Sequence, residues 1–131
     1  MKDVTQLIYD ETFKQCRRFT KKVYRELPED VGYPFIYLGE QFDQPNETRT
    51  LYVTVGTSQL TIHVYGLAAK RKQTTDLLHD LKLALRYFRH PNFSVNGITS
   101  NILYENPDQT ETLVHGILTM DVSYYQDERG N

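Results

Sequence analysis

The sequence has no tryptophan and a single cysteine in 131 residues. A lone Cys16 excludes an internal disulfide and a cysteine-only metal cluster. Its place in a helical pattern makes it a buried or half-buried thiol. No run approaches the ~18 apolar residues of a membrane span. The N-terminus, with Asp3 and Glu11 inside weak helical patterning, does not have the form of a signal peptide. The Asn-X-Ser/Thr triplets at Asn46 and Asn92 are accordingly read as chance, and a cytosolic, reducing origin is expected. An excess of positive charge is also missing. The net charge of -2 speaks against a general nucleic-acid binder. It leaves only a local basic stretch, Lys14, Arg17, Arg18, Lys21, Lys22 and Arg25, which reads as a solvated helix end where cations complement the dipole. A glycine-rich phosphate loop is absent, since Val55-Gly56-Thr57 has too few glycines and links two strands.

Tyrosine, in contrast, is abundant, with ten residues. Its apolar ring and hydrogen-bonding tip suit contact surfaces, although it is also a good strand residue. The length fits one domain over 1–131 with one core, and 126–131 reads as a frayed polar tail. The chain is organised around 59–88. Leu60, Ile62 and Val64 alternate with Thr61, His63 and Tyr65, the period of a half-buried strand. From about Lys70 the period becomes helical. Leu77, Leu81, Ala84, Leu85 and Phe88 form one stripe, with Leu78 at its edge. A strand face and a helix stripe of this size give a two-layer α+β core.

The flanking pattern extends that core. Asp3 and Gln6 are placed as a capping box for a first helix carrying Val4, Leu7, Ile8 and Thr12. Val23-Tyr24 is a short extended piece. A turn over 27–32 leads to a strand at 35–40, apolar enough to be covered on both faces. The polar stretch 42–50 is expected to project as a loop. Leu51, Val53 and Val55 start another strand, and Gly56-Thr57-Ser58 is expected to turn it into a hairpin with 59–66. Pro91 stops the long helix. Phe93-Ser94-Val95 is a short strand, Asn96-Gly97 signals a hairpin, and strands follow at 98–105 and 113–125. In the last of these, Leu118, Met120, Val122 and Tyr124 share one face. The expected order is α–β–β–β–α–β–β–β.

A catalytic constellation does not emerge. None of His63, His79, His90 and His115 sits in a metal-type pair. His79 and Asp80 diverge by about 100° as helix neighbours. His63 lies on the less apolar strand face, where packing against a neighbour outweighs a general base, and His115 has no partner by spacing. The carboxylates Glu26, Glu29 and Asp30 fall in an exposed turn. No cofactor and no metal ligands are expected, and the chain is not expected to be an enzyme. Leu83 and Tyr87 lie on a helix flank away from the main stripe, which fits either cover by a second subunit or a monomer with Leu83 exposed singly on its surface.

Taken together, Val23-Tyr24, Pro28-Glu29-Asp30, Tyr33-Pro34-Phe35-Ile36-Tyr37-Leu38-Gly39-Glu40, Thr61-Ile62-His63-Val64-Tyr65-Gly66 with the helix after it, and His115 to Val122 resemble the tail terminator family of long-tailed bacteriophages. These are also called tail-to-head joining or tail completion proteins. The resemblance runs from about Val4 to Tyr125 and rests on order and spacing. It implies an α+β fold with a central, mostly antiparallel sheet flanked by an N-terminal helix and one long amphipathic helix. It implies a homo-oligomeric ring, typically a hexamer, at the head-proximal end of the tail in the virion, assembled in the bacterial host cytoplasm. The implied partners are the tail tube protein and the head-tail connector, with DNA passing through the lumen without sequence-specific binding and no membrane involved. Expected contact residues are His63, Tyr65, Leu83 and Tyr87, and, from the polar loop, Gln44, Asn46, Glu47 and Arg49. Another neck or minor tail component, such as a head completion protein, is the nearest alternative. More distant are a small cytosolic hydrolase using His63 or His115 and a nucleic-acid-binding module using 14–25.

Overall fold

The computed structural model describes residues 3–46 and 52–127. Helix α1 (Val4–Cys16) is followed by strands β1 (Val23–Tyr24), β2 (Phe35–Pro45) and β3 (Val53–Leu67). A short 3-10 turn, Ala68–Lys70, leads into helix α2 (Arg71–Arg86), and β4 (Arg89–His90), β5 (Phe93–Glu105) and β6 (Leu113–Asp127) complete the chain. One sheet holds all six strands in the order β1-β2-β3-β6-β5-β4. Only the β1–β2 pair is parallel. The expected α+β architecture is what the chain forms.

Both helices cover the same face of the sheet. Val4, Ile8 and Cys16 of α1 and Leu78, Leu81 and Leu85 of α2 bury against Ile36, Leu38, Leu60, Ile62, Val64, Leu118, Met120 and Val122. The stripe of α2 is centred one position away from its expected axis. Leu78 is buried, while Leu77 and Phe88 pack at the margin. Thr74 is also buried, because Gly66 beneath it leaves room for its side chain. At α1 the expected capping box does not form. The Asp3 carboxylate accepts from the Thr5 hydroxyl, and Gln6 donates to Asp10 Oδ1 at 2.9 Å.

The two expected turns are strand interior. Residues 56–58 do not turn: β3 pairs with β6 without interruption from Val53↔Asp127 to Leu67↔Leu113. The apolar alternation changes phase between Val55 and Leu60, which imitates a turn. Its cause is a change of cover, since Gly56 and Ser58 lie on the helix side and Val55 and Thr57 on the other. Gly56 is needed for close approach, because a Cβ there would fall 2.6 Å from Tyr124 Oη and 2.8 Å from the Gln44 carbonyl. Likewise Asn96-Gly97 makes no hairpin. The register shifts between Val95 and Gly97, a β-bulge within one strand, and Asn96 Nδ2 donates to Ser123 Oγ at 2.6 Å.

β2 and β3 pair with each other as an antiparallel hairpin. Phe42, Asp43, Gln44 and Pro45 pair with Gln59, Ser58, Thr57 and Gly56, so half of the expected loop 42–50 is strand. Residues 47–50 lie outside the described residues. At the other end of the chain, Gln126 and Asp127 pair with Thr54 and Val53, so the strand runs past the expected start of the tail.

Candidate assembly surfaces

The helices leave the second sheet face bare over much of its area, and strand alternation decides what it shows. Phe35, Tyr37 and Phe42 of β2, His63 and Tyr65 of β3, His115 and Ile117 of β6, and Leu103 of β5 are paired in register on that face. Their rings form a continuous stack. Phe35 lies on Tyr65 with centroids 5.2 Å apart, Tyr65 on His115 at 4.0 Å, and Tyr37 on His63 at 5.0 Å.

A hydrogen-bonded row runs through the stack. Glu40 Oε1 is 3.2 Å from His63 Nε2, His63 Nδ1 is 2.8 Å from His115 Nε2, and His115 Nδ1 is 2.8 Å from Glu105 Oε2. Two contacts between a carboxylate and a ring nitrogen and one between two ring nitrogens each need one proton. Two neutral imidazoles carry two, so the row is fully satisfied only with one extra proton. Glu40 is exposed and exchanges its contact with water easily. The geometry can hold a proton between two rings and orient them. Beside its Glu105 end lies a pocket lined by Tyr33, Phe35, Tyr65, Glu105 and Leu113, and among these lining residues there is no serine, threonine, cysteine or lysine. Among the described residues no group of three or more His, Cys, Asp or Glu is arranged to hold a metal ion. No helix of the described residues is long and apolar enough to cross a membrane.

The strand period puts His63 and Tyr65 on this face, and spacing gives His115 no partner. The register supplies one: Tyr65 faces His115, and His63 faces Ile117, one step along the same side. Spacing within each strand carries no trace of this, because the two histidines lie 52 residues apart.

Positive charge is kept off the long strands. The four long strands β2, β3, β5 and β6 contain no lysine or arginine, yet carry Glu40, Asp43, Glu105, Asp121 and Asp127. The cations of the described residues sit in the helices, the loops and turns, and β4. A net charge of -2 conceals this separation.

The second expected pair, Leu83 and Tyr87, lies on the helix layer, apart from His63 and Tyr65. Both are exposed, at 39% and 65%. They line a shallow groove with Phe19, Arg18, Asp80 and Arg89. Gln44 and Asn46 lie at a third place, the far end of the β2–β3 hairpin, where Asn46 N–H donates to the Val55 carbonyl at 2.8 Å. Beneath that end Tyr124 Oη donates to Asp43 Oδ1 at 2.8 Å. Burial, then this carboxylate, hold the Tyr124 phenol well above its ordinary value. Glu47 and Arg49 lie outside the described residues. The expected contact residues that are described therefore do not converge on one site; they lie at three separate places on the chain.

No family model matches the chain, and no curated protein matches it. Among solved structures, a chain of the "Virion of native gene transfer agent (GTA) particle" superposes with a TM-score of 0.57. The match covers 86% of this chain and 91% of that one, at 11% sequence identity. The likeness is one of fold.

Proposed function

We propose that this chain is a structural protein of a phage-like virion, and that within the particle it forms the ring capping the head-proximal end of the tail tube. The fold likeness to a chain of a virion particle, nearly end to end on both chains, carries the reading. The aromatic sheet face that the helices leave uncovered and the three separated places of the expected contact residues support it, since a ring subunit needs contacts to its neighbours, to the tube below and to the connector above. In this reading 1–131 acts as one unit in a ring, typically of six. A heterologous contact closes on itself and stops polymerisation, because the upper face does not repeat the surface that recruited the ring. His63, Tyr65, Leu83, Tyr87, Gln44 and Asn46 are the contact residues. DNA passes through the lumen without sequence-specific binding, a role that needs no cofactor and no catalysis.

The experiment is to add the purified protein to tail tubes of the cognate particle and image the tube ends by negative stain. Rings of six at one end only, with no further tube growth when tube protein is added, are expected. Tubes that grow unchanged would sink the capping role. Binding to the portal side of emptied heads instead of to tubes would indicate a head completion protein, the competing placement in the same particle.

A further inference from the structure

The groove on the helix layer has a chemical counterpart elsewhere on the same chain. Its floor is apolar, with Phe19, Leu83 and Tyr87 exposed at 37%, 39% and 65%, and Arg18 and Arg89 line it against one carboxylate, Asp80. Arg18 Nη1 is held by a neutral partner, Gln15 Oε1, at 2.7 Å, so its charge is not consumed within the subunit.

The counterpart is a lip formed by two loops, 26–33 and 105–113. They meet around a pocket of about 230 Å3 lined by Leu27, Pro28, Val31, Tyr33, Glu105 and Pro107 among others. The lip carries Glu26, Glu29, Asp30, Glu105, Asp108 and Glu111 and no lysine or arginine of its own. Arg25 beside it is turned away, with its guanidinium 3.5 Å from Asp10 Oδ1 and 4.1 Å from the Phe13 ring centroid. Lys22 reaches the lip at Gly32, where its Nζ would lie 2.9 Å from an added Cβ. At the tip, Leu27 is 59% exposed.

We propose that the helix-layer groove receives the acidic lip of a second copy of this chain. The inference rests on the ring reading above and names the contact that builds the ring. An apolar floor with a cationic rim meets an apolar tip ringed by carboxylates, the arrangement that steers association and fixes register. The two halves belong to different layers: the groove is made of residues of the helices, the turns that follow them and β4, while the lip packs on Phe35 and Tyr65 of the second sheet face. Neither half can be its own complement, because groove against groove or lip against lip sets like charges together. Each contact therefore joins a lip to a groove, and passed on from copy to copy it builds a ring where its rotation closes.

Disulfide trapping tests this directly, using the exposed positions Leu27→Cys on the lip and Leu83→Cys in the groove. Cys16 is buried and does not compete. On mild oxidation of an equimolar mixture of the two variants, the heterodimer is expected at least tenfold over homodimers of either variant alone. Adding Arg18→Glu to the groove variant should lower its yield about tenfold, and Glu29→Lys on the lip variant should restore it. Homodimers as abundant as heterodimers, or a yield indifferent to Arg18→Glu, overturns the contact. Rings at tube ends whose subunits never cross-link this way overturn the contact and leave the assembly role standing. The cross-link without any binding to tubes does the reverse.

Discussion

Gly66 and Thr74 share one space: a Cβ on Gly66 would fall 1.7 Å from Thr74 Oγ1. This is where the central strand hands over to the long helix, and it sets how closely α2 lies on the sheet. Gly116 on the neighbouring strand plays a milder part, since a Cβ there would meet Leu78 Cδ1 at 2.9 Å, the movable tip of a side chain. Gly66→Ala is expected to destabilise by roughly 2–3 kcal/mol, and Gly116→Ala by about 1 kcal/mol. Thr74→Ala should recover part of the loss at Gly66 but none at Gly116. Urea midpoints for the four variants check this, and equal costs at the two glycines would contradict it.

The histidine row should couple energetically. His63→Phe and His115→Phe each keep a ring in the stack and remove one side of the 2.8 Å contact. A double-mutant cycle on unfolding free energy is expected to give a coupling of about 0.5–1.5 kcal/mol, the net worth of one hydrogen bond in partly buried surroundings. A coupling near zero would mean that the rings are held by stacking alone.

Tyr124→Phe removes the donor that ties the last strand to Asp43 under the hairpin end. A hydrogen bond to a carboxylate is worth about 1.5–3 kcal/mol, and Asp43 regains water because it is exposed, so a loss of roughly 1–2 kcal/mol is expected. Asp43→Asn, which keeps an acceptor, should cost less. Thermal unfolding of both variants provides the comparison, and an Asn variant weaker than the Phe variant would contradict the assignment.

Alkaline pH should weaken the fold through Cys16 and Tyr124. Burial pushes the Cys16 thiol up to about 12 from 9.0, and burial followed by Asp43 raises the Tyr124 phenol from 10.0. Between the ordinary and the raised value, the unfolded chain gives up a proton that the folded chain keeps. Stability is therefore full below pH 9 and falls as pH rises toward 12, with a slope of up to about 1.4 kcal/mol per pH unit for each group. Cys16→Ala should flatten the first part of this decline. In the native state the thiol should react with a disulfide reagent only at the rate of global or local opening. Immediate reaction at pH 8 would contradict its burial.

Much of the fold was legible because burial writes a period into a chain. Leu60, Ile62 and Val64, the alternation from Leu118 to Tyr124, and the stripe of Leu77, Leu81 and Leu85 each mark an element and its inward face. The same signal misled at 56–58 and at Asn96-Gly97. A long strand whose cover changes along its length changes phase without turning, and a turn dipeptide can equally occupy a bulge. Both ambiguities are resolved by the partner strand, β6, whose ladder runs past each position.

By itself, then, the sequence determined the α+β class, the two helices and the inward residues of the strands, because local period and side-chain volume suffice for those. The sites were decided by tertiary structure. His63 meets His115 only through the β3–β6 register. Arg18 and Phe19 meet Leu83 and Tyr87 only because the ends of α1 and α2 share one layer. The separation of cations from the long strands is present in the sequence, but it becomes a property of a surface only once the sheet places those strands side by side. Register and layer are relations between distant segments, and no local pattern encodes them.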